Sequence, residues 1–378
     1  LTLTVADAKT GAILASGASP SFDANKLNMS SYLNPLISYT YEPGSTMKIF
    51  SFMSAIDNDL YNGDETYMSG TIKVSDATIK DFNNVGWGRI SFDEGFNYSS
   101  NVAATILSQR LGKEKLLESY EKFGFGKKTG ITLPDEVNGS INFNYATEIA
   151  TAAFGQGITT TPIQNIQALT TLANDGIMLK PYIISKIVDS NTKEVKYEGK
   201  REEVGQIVKK STTDKMKEMM HNVVTSGKTD ARLFRSELVN IMGKSGTAQI
   251  PNPNGRGYLS GTYDYIRSFA MLFPYEDPQY IIYFSVKQFE GTYKNAANAV
   301  VNIVNEIVKY KNLEQKLENT VSNNVIGLDN FVNTDTLNAS EKLKSLGLSP
   351  IILGNGSTIT KQYPNKENSV LIGSKVFL

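Results

Sequence analysis

Ser45 and Lys48 stand three residues apart in Tyr41-Glu42-Pro43-Gly44-Ser45-Thr46-Met47-Lys48, a nucleophile spaced from a candidate base. A serine hydroxyl attacks poorly at its ordinary pKa and needs a neighbour to take its proton. Lysine serves once burial or a nearby cation has lowered its own pKa. Both conditions depend on the elements that hold the pair. Pro43 and Gly44 punctuate a loop, after which Ile49, Phe52, Met53 and Ile56 recur at i, i+3, i+4 and i+7, the spacing of a buried helix face. A helix opening at Ser45 and ending near Asp57-Asn58 brings the Lys48 ammonium to the Ser45 hydroxyl. Its start presents unpaired backbone N–H groups and a positive dipole end where an oxyanion would form. The plainer alternative for an isolated Ser-x-x-Lys is a capping serine followed by a surface lysine.

Two further groups lie downstream. Ser99-Ser100-Asn101 precedes a helical face of Ala103, Ile106, Leu107 and Leu111, with Gly112 as its C-cap. By itself this is an N-cap cluster. Lys244-Ser245-Gly246-Thr247 falls in an alternating strand that runs into Ile250, where Gly246 lets another backbone or a ligand approach closely.

The remaining chain supplies scaffold. Residues 1–6 and 12–16 read as a hairpin around Asp7-Ala8-Lys9-Thr10-Gly11, and residues 25–39 as a polar loop. Residues 61–90 are polar and irregular; they carry Trp87, which is either a site wall or packing over the core. Phe154-Gly155-Gln156-Gly157 leads into a helix with Pro162 in its first turn. Short strands and one helix follow over 181–235. Strands at 266–273 and 280–287 are joined by Pro-Tyr-Glu-Asp-Pro, and a helix at 296–310 closes the unit. The fold class is α+β, an antiparallel sheet flanked by helices. Beyond a polar linker at 311–324, a helix at 339–347 and strands at 350–353, 358–362 and 370–378 predict a small separate module.

Composition narrows the chemistry. The 378 residues hold 38 Lys+Arg against 38 Asp+Glu, so nothing in the charge favours nucleic acid or a polybasic membrane contact. Cysteine is absent, which removes thiol nucleophiles, disulfides and thiolate metal sites. A Ser-His-Asp triad would have to run through His221, the sole histidine, which sits in an amphipathic helical stretch; zinc is disfavoured for the same reason. No apolar run approaches the ~18 residues of a membrane span. The chain opens at Leu1-Thr2-Leu3-Thr4-Val5, already inside a strand, as a fragment of something longer would.

Taken together, Ser-x-x-Lys at 45–48, Ser-x-Asn at 99–101 and Lys-Ser-Gly at 244–246 have the types and order of the penicillin-recognising serine transferases. With Glu-Pro-Gly-Ser-Thr-Met-Lys, Tyr-Ser-Ser-Asn, Phe-Gly-Gln-Gly and Lys-Ser-Gly-Thr-Ala-Gln, residues 1–315 resemble the class B penicillin-binding proteins of Gram-positive bacteria, the septal transpeptidases of the 2X kind. Residues 323–378 resemble a PASTA domain, a small βαβ-type module. Val325-Ile326-Gly327-Leu328, Leu346-Gly347-Leu348 and Gly354-Asn355-Gly356-Ser357 carry that likeness, without the usual Val-Pro-Asp opening.

The resemblance implies acyl transfer from peptidoglycan stem peptides ending in D-Ala-D-Ala, with no cofactor or metal. Ser45 is then the nucleophile, Lys48 its base, Ser99 a proton relay to the leaving amine, and Asn101 a holder of Lys48 and the substrate amide. Lys244 would attract the terminal carboxylate and keep Lys48 deprotonated. Ser245 and Thr247 would bind that carboxylate beside Gly246. The N–H groups of Ser45 and Thr247 would form an oxyanion hole, worth about 3 to 4 kcal/mol per donor. β-Lactams would trap Ser45. The resemblance also implies a single-pass membrane anchor, an extracellular catalytic part, and a membrane glycosyltransferase and division proteins as partners. This chain departs from the family in having Phe82 after Asp81, where tryptophan is frequent, and in lacking the amino-terminal pedestal and anchor.

Rival expectations remain open on the same residues. A D,D-carboxypeptidase would use water as acceptor. A β-lactamase or β-lactam sensor shares the fold, although no Glu-x-x-Leu-Asn element of the class A type is present. A non-catalytic wall-binding scaffold is the reading from another class.

Overall fold

Residues 265–287 carry the most apolar strands of the chain, and strands that bury both faces require cover on both sides. The computed structural model describes residues 1–313 except 24, 27, 28 and 30, and residues 325–378 except 367, 368, 372 and 373. It divides into two compact units, Leu1–Leu313 and Glu314–Leu378. In the first, β1 (Thr2–Asp7), β2 (Ile13–Ala18), β3 (Met242–Gln249), β4 (Tyr265–Phe273) and β5 (Tyr280–Lys287) form one antiparallel sheet in the order β3-β4-β5-β1-β2.

Seven helices of this unit matter to the site and its support: α1 (Lys48–Asp57), α2 (Phe92–Asn97), α3 (Asn101–Lys122), α4 (Ala146–Ala152), α5 (Pro162–Ala173), α6 (Lys210–Thr225) and α7 (Tyr293–Tyr310). The last is amphipathic. It buries Tyr293, Ala297, Val300, Val304 and Val308, and the Tyr293 hydroxyl donates to the Ser268 carbonyl of β4. On the other side α5 packs on β5 and β1 with every residue buried. Its polar members survive there because they are bonded: Gln164 Nε2 donates to the carbonyls of Lys127 and Asn138, and Asn165 Nδ2 to Thr160 Oγ1. Pro162 begins this helix, as the sequence predicts, and Thr161 caps it. Among the helices, α1 is buried from Lys48 through Ala55; Phe50 packs on Phe123 and Phe125, and Phe52 on Phe96 and Tyr61.

Several expectations change in detail. Ser45 lies in a 3-10 turn, Gly44–Met47, and the α-helix proper starts at Lys48. The 25–39 stretch holds one helical turn, Pro35–Ser38, capped by Asn34. Residues 61–90 are less irregular than expected. They form two short antiparallel pairs, Thr66–Met68 with Arg89–Ser91 and Thr71–Val74 with Ala77–Lys80, the second closed through Ser75 at φ 53°. Gly112 breaks α3 with φ 75° as a cap would, but the chain resumes helix at once. His221 lies on α6, its Nδ1 paired with the Ile241 carbonyl and its ring stacked on Tyr275.

The second unit has its own core of Leu328, Phe331, Ala339, Leu343, Leu348, Ile359, Val376 and Leu378. Strands β6 (Val325–Gly327) and β8 (Ser369–Leu371) pair antiparallel, β7 (Ser349–Ile351) and β9 (Lys375–Phe377) pair parallel, and α8 is Thr336–Ser345. The expected strand at 358–362 is absent. Only single bridges form there, and Gln362 turns inward to accept from Phe331 N–H and donate to the Asp329 carbonyl, replacing ladder bonds with side-chain ones. The expected linker at 311–324 falls largely outside the described residues. Among those described, no helix is long and apolar enough to cross a membrane.

Candidate functional site

The three motifs converge where α1, the α2–α3 junction and β3 meet. The approach of the Ser45 turn to β3 depends on two glycines. A Cβ on Gly44, held at φ 59°, would lie 2.7 Å from the Thr247 carbonyl oxygen, and one on Gly246 would lie 2.8 Å from the Pro43 carbonyl oxygen. Backbone therefore meets backbone, and the Ser45 N–H, in a first turn without an intrahelical acceptor, sits against the strand that carries Thr247. Strand alternation buries Lys244 and Gly246 and leaves Ser245 and Thr247 on the accessible side.

Lys48 is fully buried at the centre. Its Nζ lies 2.6 Å from the Ser99 carbonyl, 2.7 Å from Asn101 Oδ1, 3.0 Å from Ser45 Oγ and 3.3 Å from Ser99 Oγ. Two of these four oxygens, the carbonyl and the amide Oδ1, can only accept. A neutral amine has two N–H groups to give them, which leaves its lone pair toward the hydroxyls. Asn101 is held in this sense because its Nδ2 donates to the Lys80 carbonyl. The shell thus satisfies an uncharged lysine beside Ser45. Burial pushes the Lys48 ammonium well below its ordinary pKa, and the charge of Lys244 pushes the same way, against a smaller opposing pull from Asp81.

Lys244 is also fully buried, donating 2.8 Å to Ser99 Oγ and 3.0 Å to the Ser245 carbonyl. Burial brings it down to about 7. Its Nζ and that of Lys48 share one hydroxyl, so two positive charges there repel and a single proton is better tolerated than two.

Ser99, the shared residue, has φ 62°, a left-handed conformation unusual for a side chain with Cβ. It sits where the chain turns from α2 into α3, and its carbonyl and hydroxyl both face Lys48. The turn is locked from behind by buried Asp81, which accepts from Ser100 Oγ and Val102 N–H on one oxygen and Gly70 N–H on the other. Trp87 packs between Phe82 and Tyr98, the neighbours in sequence of Asp81 and Ser99, and against the core.

All the residues singled out in the sequence, Ser45, Lys48, Ser99, Asn101, Lys244, Ser245, Gly246 and Thr247, fall in this one cluster. The locking role of Asp81, the Lys80 carbonyl and the left-handed turn at Ser99 were not foreseen. Asp81 stands beside a noted departure, but no spacing rule links it to Ser100.

Residues 1–309 match the family described as the penicillin binding protein transpeptidase domain. Stage V sporulation protein D of Bacillus subtilis is 31% identical over 387 residues, covering 97% of this chain and 59% of that protein. The structure of penicillin-binding protein 2X from Streptococcus thermophilus superposes with a TM-score of 0.76 at 28% identity, over 100% of this chain and 58% of that one. Penicillin-binding protein 3 of Mycobacterium tuberculosis, solved in complex with ampicillin, gives 0.74 at 27% identity, over 84% and 74%. The chain thus spans under two thirds of the length of the first two.

Proposed function

The chain belongs to the penicillin-binding protein transpeptidase family and has that fold, and from this premise we propose that it is a peptidoglycan D,D-transpeptidase acting through an acyl-enzyme on Ser45. The observation that carries the reading is the Lys48 shell, two obligate acceptors and a lone pair left for Ser45.

Lys48 Nζ takes the Ser45 proton as Oγ attacks the carbonyl of the penultimate D-alanine. The N–H groups of Ser45 and Thr247 hold the oxyanion. The proton passes through Ser99 Oγ to the departing amine of the last D-alanine, and the C–N bond breaks. Asn101 holds Lys48 and the substrate amide, while Lys244, Ser245 and Thr247 hold the terminal carboxylate beside Gly246. An amine of a second stem peptide then attacks the ester, gives up its proton along the same route in reverse, and frees Ser45 with a cross-link made. A β-lactam acylates Ser45 but keeps its leaving amine tethered, so the ester persists. The mycobacterial relative is solved in complex with ampicillin, which supports binding of a β-lactam by this chain.

The unit after residue 313 is a PASTA-type wall module in this reading, supported by its separate core and by α8 packing on β7 of the parallel β7–β9 pair. The whole protein is anchored by a single membrane span outside this chain, with the site outside the cell, and works beside a membrane glycosyltransferase and division proteins.

Intact-mass measurement after incubation with penicillin tests the proposal. The expected result is a persistent single adduct that maps to Ser45, is absent from Ser45→Ala, and forms on a chain that also releases D-alanine from a D-Ala-D-Ala stem peptide. Rapid drug turnover, or no adduct, would overturn it.

A further inference from the structure

Two sequence fragments have no part in the chemistry above: Glu42 before the Ser45 turn, and Phe154-Gly155-Gln156-Gly157. The structure brings them together. The 41–44 segment lies along 155–160, with Tyr41 N–H bonded to the Thr160 carbonyl, Thr160 N–H to the Tyr41 carbonyl, and Gly44 N–H to the Gly155 carbonyl. Between these, the Glu42 side chain turns in and is only 6% exposed. Its Oε1 accepts from Gly157 N–H at 3.0 Å and from the Tyr258 hydroxyl at 3.2 Å. Its Oε2 is buried without a partner among the described residues.

Tyr258 belongs to the loop between β3 and β4, which folds back on the end of β3 through a Pro251–Tyr258 bridge and a bond from Leu259 N–H to the Ile250 carbonyl. Gln156 also reaches β3, donating 3.3 Å to Gln249 Oε1. One carboxyl oxygen therefore joins three segments that meet at the nucleophile: the turn that carries Ser45, the 155–157 loop, and the loop that follows Thr247.

We propose that Glu42 is a positioning residue for acylation, an acceptor that holds the Ser45 turn and the β3–β4 loop in register so that Ser45 Oγ and Thr247 N–H face the same carbonyl. This rests on the acyl-transfer reading and adds to it a residue that touches neither substrate nor Lys48. Among the described residues its partners are a backbone N–H and a hydroxyl, so what it contributes is acceptor geometry rather than an ion pair; burial pushes its carboxyl above the ordinary range. Glutamine preserves that geometry, with Oε1 in the same place.

The test is the second-order rate of acylation by a fluorescent penicillin for the parent, Glu42→Gln, Glu42→Ala, Tyr258→Phe and the Glu42→Ala/Tyr258→Phe pair, with melting temperatures alongside. Glu42→Ala should acylate about tenfold to a hundredfold more slowly, the loss expected for bonds to one buried acceptor, and Glu42→Gln should recover most of it. Tyr258→Phe, which trims one hydroxyl on an exposed loop, should slow acylation by a smaller factor. The pair should be no slower than Glu42→Ala alone, because one oxygen serves both contacts. Glu42→Ala acylating at the parent rate, Glu42→Gln as slow as Glu42→Ala, or additive losses in the pair would each overturn the inference. A parent chain that is not acylated would instead overturn the acyl-transfer reading.

Discussion

Lys48 and Lys244 occupy the same buried pocket and share the hydroxyl of Ser99, yet the helical side and the strand side of the site surround them differently. Lys48 has four oxygens around it, two of them unable to donate, and points at the nucleophile. Lys244 has one carbonyl and the Ser99 hydroxyl, and stands in the strand whose accessible side carries Ser245 and Thr247. The described ion pairs of the chain all lie elsewhere, each between side chains at least 18% exposed, so neither lysine is ion-paired to a carboxylate. On the proposed acyl-transfer reading, one fold thereby obtains a base and a cation from the same residue type. Lys48 is pushed down by burial and by the charge of Lys244, and Lys244 by burial.

The largest effect should come from removing the base while keeping its bulk. Lys48→Met should lower the acylation rate by about a thousandfold, within the range of lost general-base catalysis. Acylation of this variant at near the parent rate, followed by stopped-flow fluorescence, would break the assignment. A smaller effect should follow from charging the shell around Lys48. Asn101→Asp puts a carboxylate where Oδ1 now lies 2.7 Å from Nζ, which favours the ammonium. Its acylation rate at neutral pH should fall by about tenfold to a hundredfold, and the acid limb of its pH profile should lie at higher pH than the parent's. A pH profile with the parent's acid limb would show that Lys48 is not the titrating base.

How much of this the sequence discloses follows from which contacts are local. Ser45 and Lys48 lie within one helical turn, and the face of Ile49, Phe52, Met53 and Ile56 announces that turn, so the pair is legible by spacing. The strand around Lys244 is equally plain from alternation. The left-handed Ser99 is not, because a serine in a cap cluster ordinarily stays in extended or helical backbone. The residues that follow it, Ser100 and Val102, are bonded to Asp81, 18 positions before Ser99, which no periodicity connects to the turn. The same holds for the backbone of Gly44 against Thr247 and for the side chain of Glu42 against that of Tyr258, each a contact between residues about two hundred positions apart. In the tail, Ile359 reads as part of a strand, but its neighbours bridge singly because Gln362 supplies bonds a ladder would have made.

Whether the charge of Lys244 keeps Lys48 neutral is read from the pH profile of acylation for Lys244→Gln beside the parent. In the parent, the acid limb reports Lys48 losing its proton, and the alkaline limb reports Lys244 losing its charge near pH 7. Removing that charge lets the Lys48 pKa rise. The account therefore predicts that the acid limb of Lys244→Gln moves to higher pH while the alkaline limb flattens. An acid limb that stays in place or moves to lower pH would contradict it.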